Sequence, residues 1–380
     1  MSVDQPLALL GGLSPQTFMR RHWQKKPLLV RGAWPGVAPP LARPALFELA
    51  QQEHVESRLV RRSGTQWTMR RGPFGKRSLP PLSRPDWTLL VQGVDLHDGA
   101  AAAMLQRFRF VPDARLDDLM ISFATAGGGV GPHLDSYDVF LLQVHGRRRW
   151  RVGPVADRSL VEGLPVKILR HFEPAEEWVL EPGDMLYVPP LWGHDGIAED
   201  ECMTCSIGFR APGRVSLGAQ LLQHLAEQAG VDVGESADPI YRDRSQTATD
   251  APGRIPEPLA RFAADAVQRA LANPDAVPQA LGCWLTEPKA QVWFDAGTAL
   301  PTAPVALRLD RRTRMMYDDR HVFINGEAFR AGGRDARLMQ RLADRRRLEA
   351  VDLARASEDA RALLCDWCEA GWLQADEEHA

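Results

Sequence analysis

Lysine is scarce in this 380-residue chain. Of 46 basic residues only five are lysines, Lys25, Lys26, Lys76, Lys167 and Lys289, and the arginine excess reads as genomic bias rather than function. Against 49 acidic residues the net charge is −3, which excludes a global field that would draw in nucleic acid or acidic lipid. Cysteine is scarce too. Five in a chain this long are too few for a disulfide scaffold, and the odd number fits a reducing compartment. No apolar run reaches the length of a membrane span, so no membrane contact is expected. The opening MSVDQPLALLGGL has an acid and no basic stretch, unlike a secretory signal. Cytoplasm is the default expectation. Internal repeats and low-complexity segments are missing. With 44% hydrophobic residues, there is ample material for the cores of two or three domains.

The pattern along the chain changes twice. Residues 1–110 are mixed: LSPQTFMRRHW (13–23) predicts a helix capped by Ser14, KPLLVRGA a short strand, and the Gly- and Pro-rich stretch 73–86 a loop. From 116 to 210, short strands alternate with turn signals. LMISFAT, HLDSYDVFLLQV (133–144), RRRWRV after a His145-Gly146 turn, WVLEPGDMLYVPP and ECMTCSIGFRA together predict a sandwich or jelly-roll barrel. Beyond Pro212 the spacing turns helical, with VSLGAQLLQHLAEQ (215–228) and LARFAADAVQRALA (259–272). The last hundred residues read as a strand pair, VALRLDRR and HVFINGEAF, followed by two helices.

GGGVGPHLDSYDVF (127–140) carries the chemistry. Read as one strand, it sends His133, Asp135 and Tyr137 to the same face. An imidazole and a carboxylate turned together into a barrel interior need compensation, and a divalent metal would supply it. EPGDMLYVPPLWGHDG (181–196) offers a third ligand, His194. Two histidines and one carboxylate fill three corners of an octahedron and leave three open, which suits non-haem Fe(II) that must bind a cosubstrate and oxygen. The bland alternative is that His133 and Asp135 pair with each other and His194 is a loop residue. The glycine run lacks the Lys-Ser/Thr of a phosphate loop and predicts a turn that lets backbone approach the metal. Strand parity separates the arginines after the hairpin. Arg147, Arg149 and Arg151 share a solvated face, whereas Arg148 shares the apolar face with Trp150 and Val152 and calls for an anion. Its guanidinium fork suits a carboxylate, such as the distal carboxylate of 2-oxoglutarate; otherwise it is a surface arginine on an edge strand.

PHLDSYDVF, GRRRW, LEPGDMLYVPP, GHDG and SIGFRAP together resemble the Jumonji-C oxygenases, and more closely the bacterial ribosomal oxygenases that 3-hydroxylate an arginine of the large-subunit ribosomal protein L-sixteen. The resemblance is dense from about 110 to 212 and looser elsewhere. It implies a mainly β fold with added helices. A double-stranded β-helix (jelly-roll or cupin) core spans 1–213, a helical dimerisation segment 214–280 and a C-terminal winged helix 281–380. It further implies Fe(II) on His133, Asp135 and His194. The 2-oxoglutarate cosubstrate falls on Arg148 with Ser122, and a substrate pocket near Asp117 or Asp118, Tyr137 and Ser206. The partners it implies are a ribosomal protein substrate and a second copy of the chain. Rival readings are a Jumonji-type hydroxylase of another residue such as histidine, and a cupin metal or sugar sensor with a DNA-reading winged helix.

Two CxxC pairs, Cys202/Cys205 and Cys365/Cys368, have zinc-ribbon or redox spacing. The first lies in a strand, where positions three apart face opposite ways, and the second on a helix without a knuckle turn, so structural cysteines are expected. Segment 305–350 carries 12 arginines against 7 acids. Their alternation reads as a salt-bridged surface, leaving nucleic-acid contact at most indirect, through ribosomal material.

Overall fold

Ser14 opens the first helix: its side chain accepts from the Thr17 N–H at 3.2 Å, with Pro15 at the first helical position. The computed structural model describes residues 2–75, 77–231, 240–244, 246–300 and 305–375, and the backbone separates into two units, Met1–Ala211 and Pro212–Ala380.

The first unit contains, in chain order, α1 (Pro15–Arg21), β1 (Leu28–Val30), α2 (Arg43–Leu49), β2 (Ser57–Ser63), β3 (Gln66–Arg71), β4 (Trp87–Val91), α3 (Gly99–Gln106) and β5 (Leu116–Ala124). It continues with β6 (His133–Leu134), β7 (Val139–His145), β8 (Arg148–Pro154), β9 (Glu176–Leu180), β10 (Met185–Val188), β11 (Trp192–Ala198) and β12 (Cys202–Phe209). A major sheet has the order β1-β10-β7-β12-β5-β4-β2-β3 and a minor one β6-β11-β8-β9. The two faces of the major sheet have different tasks. Leu89, Ile121, Phe123, Cys205, Ile207 and Phe140 sit on one, in the large apolar core with the N-terminal helices. The other face turns toward the minor sheet. There Val139, Leu141, Leu186 and Val188 pack against Trp150, Val152 and Leu180.

HLDSYDVFLLQV is not one strand. β6 belongs to the minor sheet and β7 to the major sheet, so residues 135–138 carry the chain from one to the other. The glycine run performs the matching crossing on the other side. A Cβ on Gly128 would lie 2.4 Å from the Trp87 carbonyl oxygen and one on Gly129 2.6 Å from that of Gly196. Those close approaches are to backbone of β4 and β11, which only glycine permits.

The second unit has α4 (Arg214–Val231), α5 (Glu257–Ala270) and α6 (Ala276–Thr286), then β13 (Leu307–Leu309), β14 (Met315–Tyr317), β15 (His321–Ile324), β16 (Glu327–Arg330), α7 (Gly333–Arg345), β17 (Arg347–Leu348), α8 (Ala350–Leu353), α9 (Glu358–Glu369) and β18 (Leu373–Ala375). VALRLDRR and HVFINGEAF do not pair with each other. β13 lies between β17 and β18, and β15 between β14 and β16. The β15–β16 hairpin turns at Asn325-Gly326, both at positive φ, as a tight two-residue hairpin loop requires.

Candidate functional site

His133 and His194 are cross-strand partners on β6 and β11, with ring centroids 4.2 Å apart. Each ring is held by a backbone carbonyl two residues back. His133 Nδ1 lies 2.9 Å from the Gly131 oxygen and His194 Nδ1 3.1 Å from the Trp192 oxygen. A carbonyl only accepts, so both Nδ1 atoms carry a proton and both Nε2 atoms are turned toward another partner. Asp135 stands just past the end of β6, where its own carbonyl accepts from the Leu191 N–H at 2.7 Å. Its Oδ2 is 3.5 Å from His194 Nε2. One ligand atom from each of the three residues lies within 4.8 Å of the others, and no other such cluster of three occurs among the described residues.

The three groups titrate apart. Burial, and next the neighbouring His194, push the His133 imidazole down to about 4. Burial works against charge on His194 as well, yet the hydrogen bond and charge of Asp135 hold its pKa above the ordinary histidine value. Burial would raise Asp135, but its bond to His194 outweighs this and the carboxyl stays below its usual range. The donor set is therefore one carboxylate and two imidazoles, of which His194 holds a proton more firmly than His133, so that a cation has to compete with it.

Arg148 is 4% exposed and shares its face of β8 with Trp150 and Val152. Its NH1 donates to Ser122 Oγ at 3.0 Å, whereas Nε and NH2 are buried with no hydrogen-bond partner. Buried donors of this kind are rare and costly, and their fork geometry fits a carboxylate. The odd-numbered arginines lie on the outer face, where each has acids. Arg147 pairs with Asp200, Arg149 with Glu177 and Glu199, and Arg151 with Asp195. That face is ion-paired as well as solvated.

Asp117 and Asp118 diverge. Alternation along β5 puts Asp118 on the face of Ser122 and sends Asp117 to the other, where it meets Arg210 at 3.4 Å. Asp118 is 3% exposed, and its Oδ2 accepts from Gln92 Nε2 and the Gly93 N–H, both at 2.9 Å. Tyr137 lies in the crossing segment, half open to solvent. Burial, and next the charge of Asp135, push its hydroxyl well above the ordinary tyrosine value. Ser206 on β12 pairs with Met120 and Leu141 and faces the minor sheet. Thus Asp118, Ser122, Arg148 and Ser206 share the inter-sheet space, and Asp117 does not.

Sequence reasoning passed over Asp138. It is fully buried and accepts from Tyr187 Oη at 2.6 Å, Gln24 Nε2 at 3.1 Å and Arg115 NH2 at 3.2 Å, while its carbonyl accepts from the Phe209 N–H. It anchors the far end of the crossing that carries Asp135 and Tyr137. An acid immediately before VFLLQV was the available signal, obscured by the metal candidates beside it. The CxxC pairs form no ligand cluster among the described residues. Cys202 and Cys205 belong to different core clusters. Cys368 is buried, while Cys365 is half-exposed and contacts Glu369.

Comparison with known proteins matches residues 103–217 to the JmjC domain and 269–374 to the ROXA-like winged helix. The crystal structure of Escherichia coli ribosomal oxygenase YcfD is 31% identical, with a TM-score of 0.74 over 94% of this chain and 97% of that one. The chain belongs to the JmjC ribosomal oxygenase family. A YcfD structure in complex with cobalt and 2-oxoglutarate superposes with a TM-score of 0.76 at 29% identity over 95% of this chain and 98% of that one. Among curated proteins, ribosomal protein uL16 3-hydroxylase of E. coli K12 is 44% identical over 198 residues. That alignment spans 51% of this chain and 52% of that protein, about half its length. The probable ribosomal oxygenase of Haemophilus influenzae is 29% identical over 98% of both chains. The cupin-type JmjC core and the winged helix expected from the sequence are therefore the family's own fold, and no described helix is long and apolar enough to cross a membrane.

Proposed function

We propose that this ribosomal oxygenase family member is an Fe(II)- and 2-oxoglutarate-dependent enzyme that hydroxylates C3 of an arginine side chain in a large-subunit ribosomal protein of the uL16 type, in the cytoplasm. The observation that carries the reading is the pairing of two features across the inter-sheet space. One is the pair of histidine Nε2 atoms gathered beside Asp135; the other is a buried guanidinium with two unpartnered donors.

His133, Asp135 and His194 would hold the metal and leave three positions open. Arg148, steadied by Ser122, would take the distal carboxylate of the cosubstrate. When bound, Fe(II) and 2-oxoglutarate supply the oxidising power that places one atom of dioxygen on an unactivated carbon, with succinate and carbon dioxide as coproducts. The chain's own contribution is placement and dryness. Val139, Leu141, Trp150 and Val152 line the space between the sheets and exclude water. Asp118, pinned by Gln92 and Gly93 so that it cannot swing away, would accept the substrate guanidinium, and Tyr137 would flank its plane. Holding the far end of an arginine leaves the carbons nearest the backbone to face the metal. Ser206 would border the same pocket.

Arginine is favoured over histidine by Asp118, since an imidazole target has no need of a buried acid. The two are separated by offering the iron-loaded enzyme 2-oxoglutarate and uL16-type peptides with arginine or histidine at the target position. Turnover on the arginine peptide alone is expected, and turnover on histidine alone would overturn the assignment.

We further infer that two copies associate through α4 and α5. Val215 and Leu222 on α4, and Phe262 and Val267 on α5, are apolar and well exposed, and a second copy would cover them. Light scattering at micromolar concentration should give twice the chain mass, and a monomer would refute the inference.

A further inference from the structure

The stretch from Ser57 to Pro85 contains seven arginines and one lysine and not a single acid, although acids outnumber bases in the chain as a whole. β2 and β3 form its hairpin, and β3 is the free edge of the major sheet. None of these arginines has an ion pair among the described residues. The guanidinium groups of Arg61, Arg71, Arg77 and Arg84 have no hydrogen bond or ion pair among the described residues, and Arg71, Arg77 and Arg84 are exposed. Like charges at this density repel one another, and nothing on the hairpin itself offsets them.

The hairpin is also placed beside the site. Arg71 pairs across β3–β2 with Arg58, Arg58 with Leu90 and Leu90 with Ser122, so all four side chains point to the sheet face that holds the cosubstrate pocket. Trp67 opposes Arg62 on that face, with the guanidinium 5.9 Å from the ring centroid. The far edge of the Trp67 ring lies against Gly131, where a Cβ would come within 3.4 Å of it, and the Gly131 carbonyl holds His133.

We propose that the β2–β3 hairpin and the loop to Arg84 bind single-stranded nucleic acid alongside the catalytic opening. Unpaired guanidinium groups track a phosphate backbone. The Trp67 ring, with Arg62 beside it, offers a planar platform for a base, and together these are what single-strand recognition needs. An acidic peptide would satisfy the charge but leave the platform unused. The winged helix is the poorer candidate. Its last helix, α9, carries Glu358, Asp359, Asp366 and Glu369, and its one arginine, Arg361, is spent on the Leu353 carbonyl. The inference stands on the hairpin and does not depend on which residue the enzyme hydroxylates.

The test is fluorescence anisotropy of the full-length, metal-loaded protein with labelled oligouridine and oligodeoxythymidine, across a salt series. Three or four phosphate contacts give a log–log salt slope of about −2 to −3. R71E/R77E/R84E should weaken binding by at least about tenfold and flatten the slope, whereas R334E/R337E on α7 should leave it unchanged. A thermal melt matching wild type shows that the hairpin variant is folded, and R71Q/R77Q/R84Q replaces it should it fail to fold. Preference for the uridine or the deoxythymidine probe identifies RNA or DNA as the ligand. Absence of salt-dependent binding to both probes, binding untouched by the hairpin substitutions, or equal competition by polyglutamate would each overturn the proposal.

Discussion

Replacing Arg148 with alanine separates a ligand-binding arginine from a structural one, because the two make opposite demands on the free protein. Without a carboxylate, only NH1 has a hydrogen bond, to Ser122, and two donor atoms are buried unpaired. Unpaired buried donors cost about 1–3 kcal/mol each. Removing the side chain relieves that cost but leaves a space that costs a comparable amount to leave unfilled. The free Arg148→Ala protein should therefore stay within about 1 kcal/mol of wild type. With cosubstrate the account changes. Loss of a buried charged partner typically costs about 2–5 kcal/mol, which raises the 2-oxoglutarate requirement by about thirty-fold to several thousand-fold. Arg147→Ala and Arg149→Ala lie on the opposite face and should shift it less than about twofold. The assay is succinate release against 2-oxoglutarate concentration, paired with thermal melts with and without 2-oxoglutarate. An unchanged cosubstrate requirement together with a melt several degrees lower would refute the reasoning, and so would equal kinetic effects at all three arginines.

Metal affinity should rise with pH. Binding displaces the proton that Asp135 helps His194 to retain, so affinity falls about tenfold per pH unit below the raised His194 pKa and levels off above it; His133, at about 4, adds nothing near neutrality. Anaerobic Mn(II) titrations at several pH values check this, and a flat profile would count against the donor set. Asp138→Ala leaves Tyr187, Gln24 and Arg115 without their acceptor and should destabilise the protein by about 3 kcal/mol, the low end for a broken buried pair because Arg115 keeps some solvent. Asp138→Asn, which keeps part of the network, should recover most of the stability in a urea melt. Asp135→Ala should abolish turnover while leaving the melt nearly intact, and retained iron-dependent succinate release would contradict its role.

The sequence carried the candidate site's residues better than their geometry. His133, Asp135 and His194 were legible because so few side chains suit a metal and their spacing is unusual. The route by which they meet was not. A continuous strand through 133–144 satisfies alternation, and only the sheet pairing shows that the chain leaves the minor sheet after Leu134 and joins the major one at Val139. The parity of β8 was readable because a single tight turn, with Gly146 at positive φ, fixes the register of Arg148. The parity of β5 could have separated Asp117 from Asp118 by the same logic, counting back from Ser122. β2 and β3 were invisible because arginine occupies both of their faces and erases the apolar–polar alternation. The same arginine richness, read as composition alone, hid the concentration of charge between Ser57 and Pro85.

The most direct measurement is tandem mass spectrometry of a uL16-type peptide after incubation with the iron-loaded enzyme, 2-oxoglutarate and oxygen. The account predicts one added oxygen atom, on an arginine and at C3, with succinate formed in step and both lost in His133→Ala. Added oxygen on histidine alone, or 2-oxoglutarate consumption with no modified arginine in that peptide or in intact uL16, would contradict it.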